Sequence, residues 1–344
     1  MKDYLFGKTL DQLYEIVEEF KLPKFTAKQI AQWLYKTDVS SIDEMSNLSK
    51  NTREVLNESY TVGLTEPMNT QESTDGTKKY LFKVDENRFV EAAYIPEATR
   101  NTLCVSSQVG CKMGCKFCAT GKQGFQKHLS TNQILNQLRS IPEFRSVTNL
   151  VYMGMGEPLD NIDNLMNSLE IFTSEWGYAW SPKRINVSTI GVIPAMKHFI
   201  ENSECRLAVS LHNPFDAERS AIMPVNNKYP IQDVIDELRK HDFGRQRRVS
   251  FEYIVFNGMN DTPRHVKELT RLLNGMRCRI NLIRWHQIPG AEFNGTDDKR
   301  LLEFQSELKA KGLHTTIRAS RGQDIDAACG LLSTKQLLKD KISN

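Results

Sequence analysis

The sequence predicts an α/β fold: a partial (β/α)6 TIM-like barrel with a small N-terminal helical domain. Strand and helix patterns alternate six times beyond residue 96, apolar residues recur at helical spacing in the first 60 residues, and polar motifs directly follow predicted strands. An unbroken βα series indicates a parallel sheet with helices outside it. In such barrels the chemistry lies at the carboxyl ends of the strands, so we expect the polar motifs to meet there.

The N-terminal region, residues 1–65, is predicted to be a helical accessory domain. Leu10, Leu13 and Phe20 recur at helical spacing, and Thr26 is the predicted cap of a second helix. Lysines surround this second helix. Such charges are typical of a solvated face, and they are also compatible with phosphate contacts.

Residues 66–96 change to the alternation of strands, which predicts a β-hairpin linker that turns at 85–87. The core domain is expected over 97–330, with a C-terminal tail over 331–344. Within the core, strands are predicted at 102–107, 147–153, 184–189, 206–212, 248–256 and 279–285, and helices at 131–140, 161–175, 194–202, 231–239, 263–275 and 298–311.

Composition excludes several classes of protein. The chain has 344 residues, of which 45 are basic and 42 acidic, so a net charge of +3 does not by itself indicate a nucleic-acid partner. Arginines cluster at 239–248, 277–284 and 318–321, which permits RNA binding without showing it. The start of the chain lacks the apolar core of a signal peptide, and no apolar run has membrane-spanning length. We expect a cytoplasmic protein with no membrane association.

The seven cysteines favour metal or catalytic roles over a disulfide scaffold, because the cytoplasm is reducing. Three of them, Cys111, Cys115 and Cys118, form a CxxxCxxC run. Thiolates at these spacings can bind three irons of a four-iron cube, and the fourth iron stays open to a ligand. The alternative is a zinc site, although zinc motifs usually pair cysteines as CxxC and need a fourth ligand.

A glycine-rich run, MGMGEP at 153–158, follows the second predicted strand. Glycine lets backbone approach a ligand closely, and Glu157 can accept hydrogen bonds from an ammonium group. Ser188, Ser210 and His212 also end predicted strands. Taken alone, glycines are common in βα turns, and a serine at a strand end is more often a local hydrogen-bonding group than a ligand contact.

Two further cysteines lie apart from the run. Cys104 is inside the first predicted core strand, and Cys329 lies in a glycine-bracketed segment with small residues before it. A thiol in such a segment can act as a nucleophile, although most isolated cysteines are inert. Cys205 and Cys278 stand at strand starts, where cysteine is most simply a small buried hydrophobic residue.

The CxxxCxxC run resembles the signature of the radical S-adenosylmethionine (SAM) superfamily. More specifically, the chain resembles the RlmN family from about residue 91 to residue 330. The motifs that carry the resemblance are VSSQVGC at 105–111, FCATG at 117–121, MGMGEPL at 153–159, STIG at 188–191, SLH at 210–212 and DIDAACG at 324–330.

The resemblance implies an enzyme that methylates C2 of adenine in 23S ribosomal RNA and in tRNA, with a 4Fe–4S cluster and SAM as cofactors. It implies that Cys329 is methylated by one SAM and that a second SAM, split at the cluster, makes a radical that activates this methyl group. Cys104 then resolves the covalent RNA intermediate by forming a disulfide with Cys329. Glu91 matches the family's proposed proton acceptor for C2; on its own it is typical of a charge at a hairpin edge.

The resemblance also implies the ligands of the cofactors and the partners. Cys111, Cys115 and Cys118 match the cluster ligands. His286 matches a further SAM contact where better-known members have Asn. The implied partners are the two RNAs, with an RNA-binding role for residues 1–65, and a low-potential electron donor of the flavodoxin or ferredoxin type; the protein is expected to be monomeric. The other implied SAM contacts are Gly156, Glu157, Ser188, Ser210, Leu211 and His212.

Three alternatives remain open from the sequence. The nearest is the sister activity, methylation of C8 of the ribosomal adenine, which shares nearly all of these motifs. Pro158 after the Gly-Glu pair, and Tyr94 before the first core strand, look more like the C2 group. The second is a radical SAM enzyme that modifies a protein or small metabolite. The third is a non-catalytic zinc protein that binds RNA.

Overall fold

The structure is a computed structural model, and it describes residues 2–243 and 249–325. Its helices are α1 Leu10–Glu19, α2 Thr26–Gln32, α3 Lys50–Ser59, α4 Ala119–Gln123, α5 Thr131–Arg139, α6 Ile162–Thr173, α7 Ile193–Asn202, α8 Asp216–Ile222, α9 Ile231–Arg239, α10 Pro263–Leu272 and α11 Asp298–Ala310. Its strands are β1 Asp3–Tyr4, β2 Tyr60–Thr61, β3 Asn69–Glu72, β4 Lys78–Asp85, β5 Arg88–Glu97, β6 Arg100–Cys104, β7 Gln108–Val109, β8 Lys127–His128, β9 Asn149–Tyr152, β10 Ile185–Thr189, β11 Arg206–Ser210, β12 Val249–Val255, β13 Cys278–Arg284 and β14 Thr315–Ile317.

Residues 2–62 are mainly helical, as predicted, with a short strand near each end. Thr9 and Gln12 form a capping box at the start of α1, which satisfies backbone donors that the first helical turn leaves unpaired. The prediction that Thr26 caps α2 is wrong: Thr26 is the first residue of the helix and is buried, and Phe25 before it makes no side-chain cap bond. The short parallel pair β1–β2 brings the two ends of this region together.

The central sheet confirms the predicted α/β fold. Among residues 2–243 and 249–325 the sheet has ten strands, in the order β14-β13-β12-β11-β10-β9-β6-β5-β4-β3. The six predicted core strands pair in parallel and in sequence order, as in a barrel wound in one direction. Within the described residues the order has two free ends, β14 and β3, so the barrel is partial.

Three features of the sheet were not predicted. The four-residue strand β3 pairs antiparallel with β4 at one end of the sheet. The parallel strand β14 has three residues and extends the sheet beyond β13. The hairpin β4–β5, which turns at Glu86 and Asn87 as expected, is joined to the same sheet through the antiparallel β5–β6 pair, so it continues the core sheet. The division into domains at 65, 96 and 330 stays a prediction.

The two faces of the sheet carry different side chains. Directly paired residues project from the same face, and alternate residues of one strand project from opposite faces. One face is apolar and packs under the helices; its members include Tyr80, Leu103, Leu150, Val187, Val209, Phe251 and Leu282. The opposite face, called the inner face below, contains Lys79, Glu91, Cys104, Ser188, Ser210 and Glu252.

No helix among the described residues combines the length and the apolar composition that crossing a membrane requires.

Candidate active site

The three-cysteine loop begins where the chain leaves β6. The segment β7 turns away from the central sheet and pairs with β8, and the loop and α4 lie between these two strands. Gly110 has φ +68°, and a Cβ there would lie 1.7 Å from the carbonyl oxygen of Gly124. Only glycine fits that position, because both the backbone conformation and the space exclude a side chain.

The cysteines of this loop line a partly enclosed region. Cys115 is buried, and Cys111 and Cys118 are half-buried. Burial raises the pKa of the Cys111 thiol to about 12, and burial raises the pKa of Cys115 further. These thiols are therefore protonated at neutral pH when no metal is present, and binding a metal must release their protons.

The surroundings of Cys115 are apolar on one side and open on the other. Cys115 and Phe117 pack with Ile222 and Met223, and the backbone N–H of Lys116 donates to the Ile222 carbonyl at 3.0 Å. A cavity of about 630 Å³ opens beside the loop; its lining includes Gly114, Cys115, Lys122, Gly290 and Phe293.

These donors fit an iron–sulfur cube by their chemistry. In the described part of the chain, no three His, Cys, Asp or Glu side chains surround one point suitable for a single ion. A cube does not need such a point, because each thiolate binds a different iron. Three soft sulfur donors in one loop, with an adjacent cavity, suit that arrangement.

The loop after β9, residues 154–157, is held against the exit of β6. The N–H of Gly154 donates to the Val105 carbonyl at 3.0 Å, and the N–H of Glu157 donates to Gln108 Oε1 at 2.8 Å. Gly156 has φ +100°, and a Cβ there would lie 2.5 Å from the Cβ of Gln108. The VSSQVGC segment therefore positions the glycine-rich loop next to the cysteines.

The carboxylate of Glu157 is buried and bridges two strand ends. Its Oε1 accepts from Leu159 N–H and from Thr189 Oγ1 at 2.6 Å, and its Oε2 accepts from Ile190 N–H at 3.0 Å. Burial raises the pKa of Glu157 to about 7. Each carboxylate oxygen can accept two hydrogen bonds, so among the described contacts Oε2 keeps one lone pair for another donor.

His212 connects the end of β11 to the three-cysteine loop. It has φ +54°, and its Nδ1 accepts from Ile254 N–H at 3.0 Å, which places the ring proton on Nε2. Burial lowers the pKa of His212 to about 3, so the ring is neutral. It contacts the edge of Phe117, with ring centroids 4.9 Å apart.

The other predicted SAM contacts on this side lie at the neighbouring strand ends. Ser188 and Ser210 are half-buried near the ends of β10 and β11, and Leu211 is fully buried. The structure therefore groups Gly156, Glu157, Ser188, Ser210, Leu211 and His212 at the carboxyl ends of three adjacent strands.

His286 lies apart from that group. It is exposed on the segment after β13, and its Nε2 forms a hydrogen bond with Ser320 Oγ at 2.9 Å. Partial desolvation and the nearby Arg284 lower its pKa.

Glu91 and Cys104 share the inner face. Cys104 pairs with Ala93 of β5, and Glu91 lies two residues earlier in the same strand. The Glu91 carboxylate is 3% exposed and forms an ion pair with Lys79 at 2.6 Å. The hairpin-edge interpretation of Glu91 is therefore wrong, because β5 is an internal strand between β4 and β6.

Cys329 lies outside the described residues. The chain that leads to it is attached to the turn between β3 and β4: the N–H of Gly322 donates to Asp75 Oδ2 at 3.0 Å, and Asp324 accepts from the N–H of Thr74 at 2.9 Å. Asp324 also accepts from Ser73 Oγ.

The sequence did not single out Arg219 or Lys79. Both are buried cations. A lone arginine in a short helix and a lysine in a hairpin are each typical of a solvated face, so no sequence signal distinguished them. Alternation in β4 does place Lys79 on the same face as Leu81, opposite Tyr80.

Comparison with known proteins agrees with this geometry. The family model described as "Radical SAM superfamily" matches residues 105–273. The crystal structure of a radical SAM methyltransferase from Sphaerobacter thermophilus matches with a TM-score of 0.89 and 36% sequence identity, over 95% of this chain and 98% of that chain. Fold and site together define a radical SAM methyltransferase.

Closer relatives identify the family. A protein of Bacteroides fragilis (strain YCH46) named "Probable dual-specificity RNA methyltransferase RlmN" is 54% identical over 96% of both chains. A "Dual-specificity RNA methyltransferase RlmN" of Syntrophus aciditrophicus (strain SB) is 40% identical, also over 96% of both chains. The family model "Ribosomal RNA large subunit methyltransferase N-terminal domain" matches residues 4–62. The chain belongs to the RlmN family of RNA methyltransferases.

Proposed function

We propose that this enzyme methylates C2 of adenine in 23S ribosomal RNA and in tRNA. The observation that carries the proposal is identity over nearly the whole chain with relatives named as dual-specificity RNA methyltransferases. The inner face supports it, because Cys104 and Glu91 lie together on strands of the same barrel as the three-cysteine loop.

The cofactors of this proposal are a 4Fe–4S cluster and SAM. Cys111, Cys115 and Cys118 would hold the cluster, and Glu157 would accept from the SAM amino group. Gly156, Ser188, Ser210, Leu211, His212 and His286 are the further proposed SAM contacts. When bound, the cluster and SAM supply a 5′-deoxyadenosyl radical, which the protein must position and shield from water.

The protein side chains overcome the low reactivity of C2. The C–H at C2 is neither acidic nor nucleophilic, so C2 cannot attack a methyl donor directly. Cys329 first takes a methyl group by displacement, and after loss of a hydrogen atom its methylene carbon adds to C2. Glu91, held by Lys79, accepts the C2 proton. Cys104 then attacks the sulfur of Cys329, which forms the disulfide and breaks the sulfur–carbon bond to the RNA. The electron pair of that bond stays on the released carbon, which takes up a proton and becomes the methyl group. The single electron left by the radical addition would pass to the oxidised cluster that Cys111, Cys115 and Cys118 would hold.

RNA binding must expose an adenine that is otherwise stacked, at a cost of a few kcal/mol. Loops and anticodon arms reduce this cost because their bases are already unstacked. We assign phosphate contacts to the helical domain over 1–65 and to the arginine clusters. We further propose that a low-potential electron donor of the flavodoxin or ferredoxin type reduces the cluster. The enzyme is proposed to be a monomer in the cytoplasm.

The test is anaerobic incubation with reductant, labelled SAM and unmodified rRNA or tRNA, followed by nucleoside analysis. We expect 2-methyladenosine from both RNAs. Label on C8 alone would support the sister activity, which the named relatives do not favour. Absence of 5′-deoxyadenosine from iron-loaded enzyme would contradict the radical mechanism altogether.

A further inference from the structure

Arg219, on α8, is a fully buried guanidinium surrounded by neutral acceptors. Its Nη2 donates to the carbonyls of Ile190 and Ser210, both at 2.8 Å, and its Nε donates to the Leu211 carbonyl at 3.0 Å. Its Nη1 donates to Asn226 Oδ1 at 2.6 Å. Among residues 2–243 and 249–325 it forms no ion pair.

A buried charge normally has a counter-charge, because transfer from water to a low-dielectric interior is costly. Hydrogen bonds to carbonyl oxygens pair four of the five N–H donors of Arg219 but do not neutralise its charge. Burial lowers its pKa only to about 10, so it is charged at neutral pH. Two groups with an anionic form favour its charged state, first Cys115 and then Asp216.

The three-cysteine loop is adjacent to the helix that carries Arg219. Lys116 N–H donates to the carbonyl of Ile222, the last residue of α8, and Cys115 packs with Ile222 and Met223. Cys115 is also the group whose negative form most favours the charged state of Arg219. A thiolate at Cys115 would therefore be the larger counter-charge to Arg219, with the Asp216 carboxylate the smaller one.

We infer that Arg219 is a positioning residue with two roles. Its buried positive charge offsets the anionic thiolate of Cys115 in the metal-loaded site. Its planar guanidinium group also holds in place the backbone carbonyl groups at the ends of β10 and β11. The inference rests on the proposed function, in which Cys115 is a cluster ligand. The second role sets the backbone of Ser210 and Leu211, which are proposed SAM contacts. A fixed cation near an iron–sulfur cluster favours the reduced state, because reduction adds negative charge.

The experiment compares R219Q, R219K and a control, R271Q, after anaerobic reconstitution. Arg271 is on α10 and exposed, and its partners in the described part of the chain are Glu268 and Gln232. Iron and sulfide per chain, thermal unfolding, the cluster midpoint potential and SAM affinity by equilibrium dialysis are measured for each. None of these readouts requires methyl transfer.

We expect R219Q to lower the equilibrium constant for cluster reduction at least tenfold, which is about 59 mV for a one-electron couple. R219K keeps the positive charge but loses the hydrogen bonds of the planar guanidinium group. Its cluster midpoint potential should therefore stay near that of wild type, while its SAM affinity should fall several-fold. R271Q should match wild type in every readout.

Three results would overturn the inference. R219Q with full iron, an unchanged potential and unchanged SAM affinity would remove both roles. Equal shifts of potential in R219K and R219Q would exclude the charge as the cause. Failure of both variants to fold before iron is added would make Arg219 a residue of the fold alone. Wild-type protein that takes up no iron would instead contradict the proposed function.

Discussion

The two faces of the central sheet are made from the same strands and have opposite properties. On the outer face, Leu103, Leu150 and Val187 are fully buried under helices and contribute to stability through apolar burial. On the inner face, Glu91 and Cys104 are also nearly inaccessible, yet they are polar or reactive. Burial therefore does not distinguish the apolar core from the candidate site. The two are distinguished by the kind of side chain that alternate residues of each strand place on each face.

Replacing Cys104 by Ala tests the inner face with the largest expected effect. Turnover should be lost, because the thiol that we propose releases the RNA is missing, and a covalent protein–RNA adduct should accumulate. Denaturing gels with labelled RNA would detect it. Unfolding should change by only about 1 kcal/mol, as expected for removal of one small buried group. Cys205→Ala, a buried cysteine away from the site, is the matched control; adduct-free multiple turnover by Cys104→Ala would contradict the assigned role.

Phe251→Ala tests the outer face. Its ring is fully buried, so truncation should lower the free energy of unfolding by about 3–5 kcal/mol. Activity per folded molecule should stay near that of wild type, because the residue projects away from the inner face. Urea denaturation and single-turnover assays at low temperature measure the two quantities. A large loss of specific activity with full folding would show that the faces are coupled.

Lys79→Met breaks the buried ion pair and leaves the Glu91 carboxylate without this cation. Removing one member of a buried pair typically costs about 3–5 kcal/mol. The double variant Lys79→Met/Glu91→Gln should recover part of this stability, since no unpaired charge remains. Urea denaturation of wild type, Lys79→Met, Glu91→Gln and the double variant gives the coupling free energy between the two side chains. Additive losses in the double variant would mean that the pair contributes no specific coupling.

Glu157 makes stability depend on pH. Burial raises its pKa from 4.5 in the unfolded chain to about 7. Between these values the folded state binds more protons, so the free energy of unfolding should fall as pH rises, by about 3 kcal/mol, and level off above about pH 7. SAM affinity should instead rise through about pH 7, because an ammonium group prefers the ionised carboxylate.

Glu157→Gln is the control for that pH dependence. It removes the titrating group and should flatten both profiles, which are measured by urea denaturation of the metal-free protein and by equilibrium dialysis of the loaded protein. An undiminished stability slope in this variant would assign the dependence to another group.

His286→Asn has the smallest expected effect. The side chain is exposed and bonds to Ser320, and one such hydrogen bond is worth about 1 kcal/mol. SAM affinity, measured by equilibrium dialysis, should therefore change by no more than about fivefold. A much larger change would place His286 in direct and essential contact with the cofactor.

The sequence anticipated the parts of the fold that depend on long buried patterns. Parallel strands that are covered by helices have nearly continuous apolar sequences, and this pattern predicted the six core strands. The three-residue β14 was missed, since so short a segment has no periodicity to detect. Thr26 was assigned as a cap because threonine often is one, but here its side chain is needed in the interior of the helical domain.

Candidate site residues could be proposed from the sequence where they lie in a local motif, but not where only the tertiary structure brings them to the site. The cysteine run and the Gly156-Glu157 pair are local patterns. Arg219 and Lys79 acquire their roles from partners 29 and 12 positions away, at Ile190 and Glu91, and single-sequence patterns do not report such distances. The sheet register is what brings Cys104 and Glu91 to one face.

In the described part of the chain, the incomplete barrel has two edge strands that another chain could extend. The edge strands β3 and β14 have only four and three residues, and β3 consists of Asn, Thr, Gln and Glu. Short, polar edges offer little backbone for edge-to-edge pairing, and such pairing is a common start of aggregation. The short, polar edges of the described sheet therefore act against edge-to-edge association of one copy of the chain with another.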